Sequence, residues 1–129
     1  TVKIELDKAK TYYDRLMVYG RVYKDILGLI GNQGGCPILN TAIDADDTNL
    51  PLRLKAAKAV FSWKKNLVDI INAGMENGEF RQGIHAEELA VSIVALIEGG
   101  VMISKVTNDT RSMDYVLTTV EHLVNRIKS

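Results

Sequence analysis

The chain has 129 residues, 47% of them apolar, and its sixteen basic residues balance sixteen acidic ones. A length of this order fits one domain with a real core, and zero net charge excludes a bulk field that would draw in nucleic acid or anionic lipid. The single cysteine, Cys36, excludes an internal disulfide framework and fits a reducing, cytoplasmic setting.

Lys3, Glu5, Asp7 and Lys8 leave no apolar run for a signal peptide at the N-terminus. The chain enters a helix almost at once, so it is expected to be part of something longer. That first helix is predicted from about Leu6 to Ile30. Ala9, Tyr13, Leu16, Gly20, Tyr23, Leu27 and Ile30 recur at alternating steps of four and three, which puts them on one buried face. Tyr12, Tyr19 and Ile26 widen it, so that four of the five tyrosines lie on this helix. Such rings form either the edge of a core or the wall of a ligand cavity, where phenol hydroxyls orient an apolar guest.

Gly31-Asn32-Gln33-Gly34-Gly35 ends the helix. It is not a phosphate-binding loop, because Cys36 and Pro37 stand where that motif needs Lys and Ser/Thr. Pro37 opens a predicted short helix running to about Asp46. Asp44, Asp46 and Asp47 fail the EF-hand pattern, with Asn49 in place of the required glycine and Lys55 in place of the bidentate Glu. Thr48 or Asn49 caps the next helix, predicted to run without a breaker to about Asn77. Leu54, Ala57, Val60, Phe61, Leu67, Val68, Ile71 and Met75 share its broad apolar face, and Lys64 falls within that stripe, either snorkelling to water or anchoring an acidic group in a cavity. Trp63 lies just off the same face.

Gly78 ends this helix and Phe80 is expected to plug the end of the core. His85 precedes Glu87 and Glu88, acidic residues suited to a helix N-terminus, and is read as a helix-start residue. Between Leu89 and Ile103 only Ser92 and Glu98 are polar. A helix apolar nearly all round is buried on several sides, and Glu98 in so short a stretch argues against a membrane span. This central helix is expected to organise the domain. Its Ser92, Ala95 and Gly99 form a small-residue strip that lets another backbone approach closely. A turn over Thr107 to Thr110 leads to a last amphipathic helix, about Arg111 to Ile127, with Met113, Val116, Leu117, Val120, Leu123, Val124 and Ile127 on one stripe. The Asn108-Asp109-Thr110 glycosylation pattern is a chance match. The expected fold is all-α, with about five helices.

No chemistry of the catalytic kind is visible. Cys36, His85 and His122 come from separate places and make neither a nucleophile–base motif nor a zinc set, and paired Glu-x-x-His motifs are absent. No enzyme activity, metal or cofactor is expected.

Gly35-Cys36-Pro37-Ile38-Leu39-Asn40-Thr41-Ala42 with Asp44-Ala45-Asp46-Asp47, then Trp63, Leu67, Ile71, Gly74 and Gly78-Glu79-Phe80, and finally Leu96-Ile97-Glu98-Gly99-Gly100-Val101-Met102, together resemble the regulatory domain of TetR-family bacterial transcription regulators. The resemblance implies a C-terminal effector-binding and dimerisation domain over residues 1–129, in an antiparallel helical bundle. The family's N-terminal helix-turn-helix is absent from this sequence, so operator DNA is expected to be bound only through that missing part. It also implies a homodimer formed by the last two helices, with Ser92, Ala95, Gly99, Met102, Val116, Val120 and Leu123 at the seam. The effector, a small apolar or aromatic molecule, is expected among the first, short and third helices, against Tyr12, Leu16, Tyr19, Tyr23, Asn40, Ile43, Phe61 and Lys64. The whole protein is then a cytoplasmic regulator, a repressor with no membrane partner. The competing reading, a purely structural helical dimerisation module, predicts a packed core without a cavity.

Overall fold

The computed structural model describes residues 2–30 and 50–129. Its described elements are α1 (Val2–Lys8), α2 (Tyr12–Ile30), α3 (Leu50–Asn77), α4 (Ala86–Thr107) and α5 (Arg111–Arg126). The fold is all-α, as its periodicities predict. The expected short helix from Pro37, and with it Asn40 and Ile43, lies outside the described residues.

One predicted boundary differs. The periodic stretch from Leu6 to Ile30 is two helices, broken at residues 9–11. Thr11 Oγ1 accepts the Asp14 backbone N–H at 3.0 Å, a helix start that competes with continuation. The Glu79 carboxylate, far away in sequence, accepts the backbone N–H groups of Tyr12 at 3.0 Å and Tyr13 at 2.8 Å. An anion seated on first-turn donors suits both their unmet hydrogen bonds and the helix dipole. Periodicity alone cannot see a cap delivered from the other end of the molecule.

The other ends follow local sequence. His85 caps α4, its Nδ1 accepting the Glu88 N–H at 3.2 Å, and Asn108 closes it in the left-handed region at φ 53°, a conformation Asn tolerates. Asp109 then takes the Arg111 backbone N–H at 3.0 Å and grips its guanidinium at 2.8–3.1 Å. That hold keeps the Asp109 carboxyl down at about 2.

Helix α2 packs against each of the other four, and α4 packs on both α3 and α5. The core between them centres on Leu16, Leu67, Ile71, Phe80, Ile93, Ile97, Met113, Val120 and Val124. Phe80 plugs its end as expected, fully buried over Gly74, where a Cβ would strike its ring. Around it the 79–81 connector ties down the C-terminus: Arg81 N–H donates to Ile127 O at 2.8 Å and Ser129 N–H to Glu79 O at 3.0 Å. By length and composition alone, the 22-residue α4 is apolar enough to cross a membrane. Here eight of its residues, among them Ala90, Ile93, Ile97 and Val101, are buried within the bundle.

Candidate functional site

A cavity of about 590 Å³, widely open to solvent, lies where α1, α2 and α3 meet, lined by Val2, Lys3, Leu6, Tyr19, Tyr23, Trp63, Asn66, Asp69 and Ile70. The size is that of a small-molecule site. Its wall follows from helical spacing: Tyr19 and Tyr23 are one turn apart on α2, and Trp63, Asn66 and Ile70 repeat at i, i+3, i+7 on α3. The two tyrosines stack on Trp63, with ring centroids 5.9 and 5.0 Å away and planes 25° and 12° apart. Offset stacking of this kind adds to the apolar contact.

Polar atoms in this wall are unevenly satisfied. Trp63 Nε1–H is buried with no hydrogen-bond partner among the described residues, whereas the buried Tyr19 hydroxyl has the Asn66 side chain as its partner. Burial pushes the Tyr19 phenol above its ordinary 10.0, with Asn66 nearby opposing the rise. Lys3 and Asp69 bring one charge of each sign to the lining. Among the described residues no three His, Cys, Asp or Glu side chains gather as a metal site.

The predicted lining residues fall in three places. Tyr19 and Tyr23 are in the wall. Leu16 is wholly inside the core, and Tyr12, half-buried, packs against that core. Phe61 is 60% exposed, and Lys64, on the same side of α3, reaches across to Glu87 at 2.9 Å and lies 5.3 Å from the Phe61 ring. Lys64 also holds the Glu87 carboxyl below its ordinary value. Sequence reasoning passed over Trp63, Asn66 and Ile70, although their shared spacing was the signal. Val2 and Lys3 precede the helix expected from Leu6, and Leu6 stands at its start, where no spacing marks a wall.

Comparison with known proteins decides the family. The family described as "Tetracyclin repressor-like, C-terminal domain" matches residues 13–120. The chain belongs to that family. It is a regulator domain of the TetR family, and the family is not one of enzymes. A transcriptional regulator of the TetR family from Cytophaga hutchinsonii is 41% identical with a TM-score of 0.91, and a TetR transcriptional regulator from Chloroflexus aurantiacus is 26% identical with a TM-score of 0.89. Each match covers 98% of this chain but 64% of the solved one, so the chain spans just under two-thirds of the relatives' length. A search of curated protein sequences finds no match.

The second candidate surface of this TetR-type domain lies on α4 and α5. Val91, Met102, Ile103 and Val106 of α4 are 43–80% exposed, and Tyr115 of α5 is 68% exposed. Ser92 and Ala95 are exposed beside them, and among the described residues nothing lies within 4 Å of where a Gly99 Cβ would stand. The neighbouring Gly100 faces the other way: its Cβ would come 2.8 Å from Met113 Sδ and 3.0 Å from Val116. Adjacent glycines thus serve two faces, one inside the protomer and one open. Of the other residues expected at the seam, Val116 and Leu123 are half-buried, and Val120, 1% exposed, belongs to the protomer's own core.

Proposed function

We propose that this domain senses a small, mostly apolar molecule in the α1–α2–α3 cavity and dimerises through the open face of α4 and α5. The observation that carries the sensing role is the aromatic-walled cavity of about 590 Å³, a feature for which the structural-module reading has no use. In this reading Tyr19, Tyr23 and Trp63 form the binding wall, and Tyr12, Phe61 and Lys64 stand outside it. Helix α1 supplies Val2, Lys3 and Leu6 to the cavity while burying none of its own residues. A guest therefore bears directly on a loosely seated helix, and differential affinity for two seatings of α1 shifts their populations.

Dimerisation is supported by the exposed aliphatic row along α4, since an apolar stripe opposite a buried one is an interaction surface. A twofold contact uses the same patch from both chains, with Gly99 and Ala95 permitting close approach. The whole protein then works as a cytoplasmic repressor whose DNA-binding parts lie in the additional length that its relatives carry. Ligand in the cavity alters their spacing and releases the operator.

Native mass spectrometry before and after organic extraction tests both halves. The expected species is a mass near twice 14.3 kDa, carrying a small adduct that extraction removes. A monomer at every concentration contradicts the dimer. A dimer that neither carries nor takes up any apolar compound contradicts the sensor and leaves the structural module.

A further inference from the structure

We propose that Glu79 is a latch on a two-state joint: engaged, it keeps α1 folded back along the cavity, and released, it lets α1 and α2 join as one continuous helix. The latch needs no guest; only its consequence for the cavity rests on the sensing role proposed above.

The sequence across the joint favours helix. No Gly or Pro stands between Val2 and Tyr19, and Ala9 and Lys10, within the break, are good helix formers. Leu6, Ala9, Tyr13, Leu16, Gly20 and Tyr23 keep helical steps of three and four straight through it. Helical hydrogen bonds reach the gap from both sides, Ala9 N–H to Glu5 O at 3.2 Å and Arg15 N–H to Thr11 O at 3.0 Å. Against this stands Thr11, an N-cap residue that supplies a single hydrogen bond.

The break is held by an exchange of acceptors. In a continuous helix the N–H groups of Tyr12, Tyr13 and Asp14 would donate to the carbonyls of Lys8, Ala9 and Lys10, four residues back. Instead the Glu79 carboxylate takes the first two and Thr11 Oγ1 takes the third. Withdrawing Glu79 leaves two part-buried donors unmet until the helix closes through the gap, and such donors rarely stay unpaired. Packing opposes the change little, since α1 buries none of its residues, while α2 is anchored by Leu16, Met17, Val18 and Tyr19. The latch is itself held from the far end of the chain. Glu79 O accepts the Ser129 N–H, and Lys128 Nζ lies over the Tyr13 ring.

The two states differ at the cavity. Val2, Lys3 and Leu6 line it together with Tyr19 and Tyr23, which requires α1 to fold back along α2. On one straight helix Leu6 and Val2 would stand roughly 20 and 25 Å along the axis from Tyr19. The α1 wall therefore exists only in the latched state, and the direction in which α1 leaves the bundle changes with it.

Energy transfer from Trp63, the single tryptophan, to a naphthalene-sulfonate label at Glu5→Cys reads the joint, in a Cys36→Ser background of the full chain. With Glu79 in place, strong transfer is expected. In Glu79→Ala transfer is expected to fall several-fold while the helical circular-dichroism signal is kept or rises. Thr11→Ala, at an exposed site, is expected to lower transfer by less, and it decides the matter should Glu79→Ala not fold. Transfer unchanged in the folded alanine variants overturns the latch and leaves Glu79 as a cap that only stabilises. Transfer that falls together with the helical signal overturns the continuous state, because α1 has then frayed instead of joining α2. Neither failure touches the sensing role, which is tested with a guest present.

Discussion

Tyr19 is where burial, ionisation and recognition meet in one side chain. Its hydroxyl is buried, and burial raises its pKa above 10.0 against the opposing hydrogen bond to Asn66. A raised phenol favours the protonated form in the fold. Its stabilising effect is complete below pH 10.0 and is lost as pH climbs through the folded-state value. Tyr13 is raised as well, chiefly by burial and by the nearby Glu121 carboxylate, while Lys128 Nζ lies 3.9 Å from its ring centroid. In an alkaline titration followed at the tyrosinate absorbance, part of the signal is expected to rise only above pH 10.0, from these two side chains. A titration complete by pH 10 would contradict the raised Tyr13 and Tyr19. That tyrosines cluster on one helix was legible in the sequence; which of them face a cavity was not. Helical spacing gives a face, but whether a neighbour fills the space opposite depends on a partner helix. Trp63, just off the main stripe of α3, meets Tyr19 and Tyr23 only because α3 is rotated that far towards α2.

At the scale of elements, helix ends capped locally could be read and the one capped remotely could not. His85 with Glu87 and Glu88, and the Thr107–Thr110 turn, are where the sequence puts them. The break before Tyr12 rests largely on Glu79, which sits 67 positions away. Glu79 also joins the connector that bears Phe80 and pairs with the C-terminus, so one side chain couples the start of α2 to the closing end of the bundle. Glu79→Ala is expected to destabilise the domain by about 1–3 kcal/mol, the usual range for charge-assisted hydrogen bonds with part-buried donors left unmet. Denaturant melts check this, and Glu79→Gln, which keeps one acceptor oxygen, should recover part of the loss. No change in midpoint for Glu79→Ala would show that Thr11 alone starts α2.

Across the whole molecule, the predicted central role of Leu89–Ile103 is met by α4, with α2 sharing it as the helix that touches all the others. The glycine pair within α4 was legible as a close-packing device, but its two-sidedness appears only once α5 is in place against Gly100. This separates two substitutions with opposite consequences. Gly100→Ala forces a methyl against Met113 and Val116 and should cost about 1–3 kcal/mol of fold stability, as overpacking does. Gly99→Ala meets nothing among the described residues, so on its own it should favour the helix by roughly 0.5–1 kcal/mol. If the proposed seam runs over Gly99, sedimentation analysis of Gly99→Ala is nevertheless expected to show self-association weakened about tenfold or more, because the added methyl would block close approach of a second backbone. Unchanged association would move the seam off Gly99.

The cavity between α1, α2 and α3 carries its own reporter. Trp63 is the single tryptophan of the chain and stacks in the cavity wall. Titration with 9-fluorenone, followed by Trp63 emission, is therefore the most direct measurement. Saturable quenching at one probe per protomer, with an accompanying shift in the emission maximum, is the predicted result. Quenching that rises linearly without saturation, as it does for free tryptophan in solution, would contradict a binding cavity at this place in the fold.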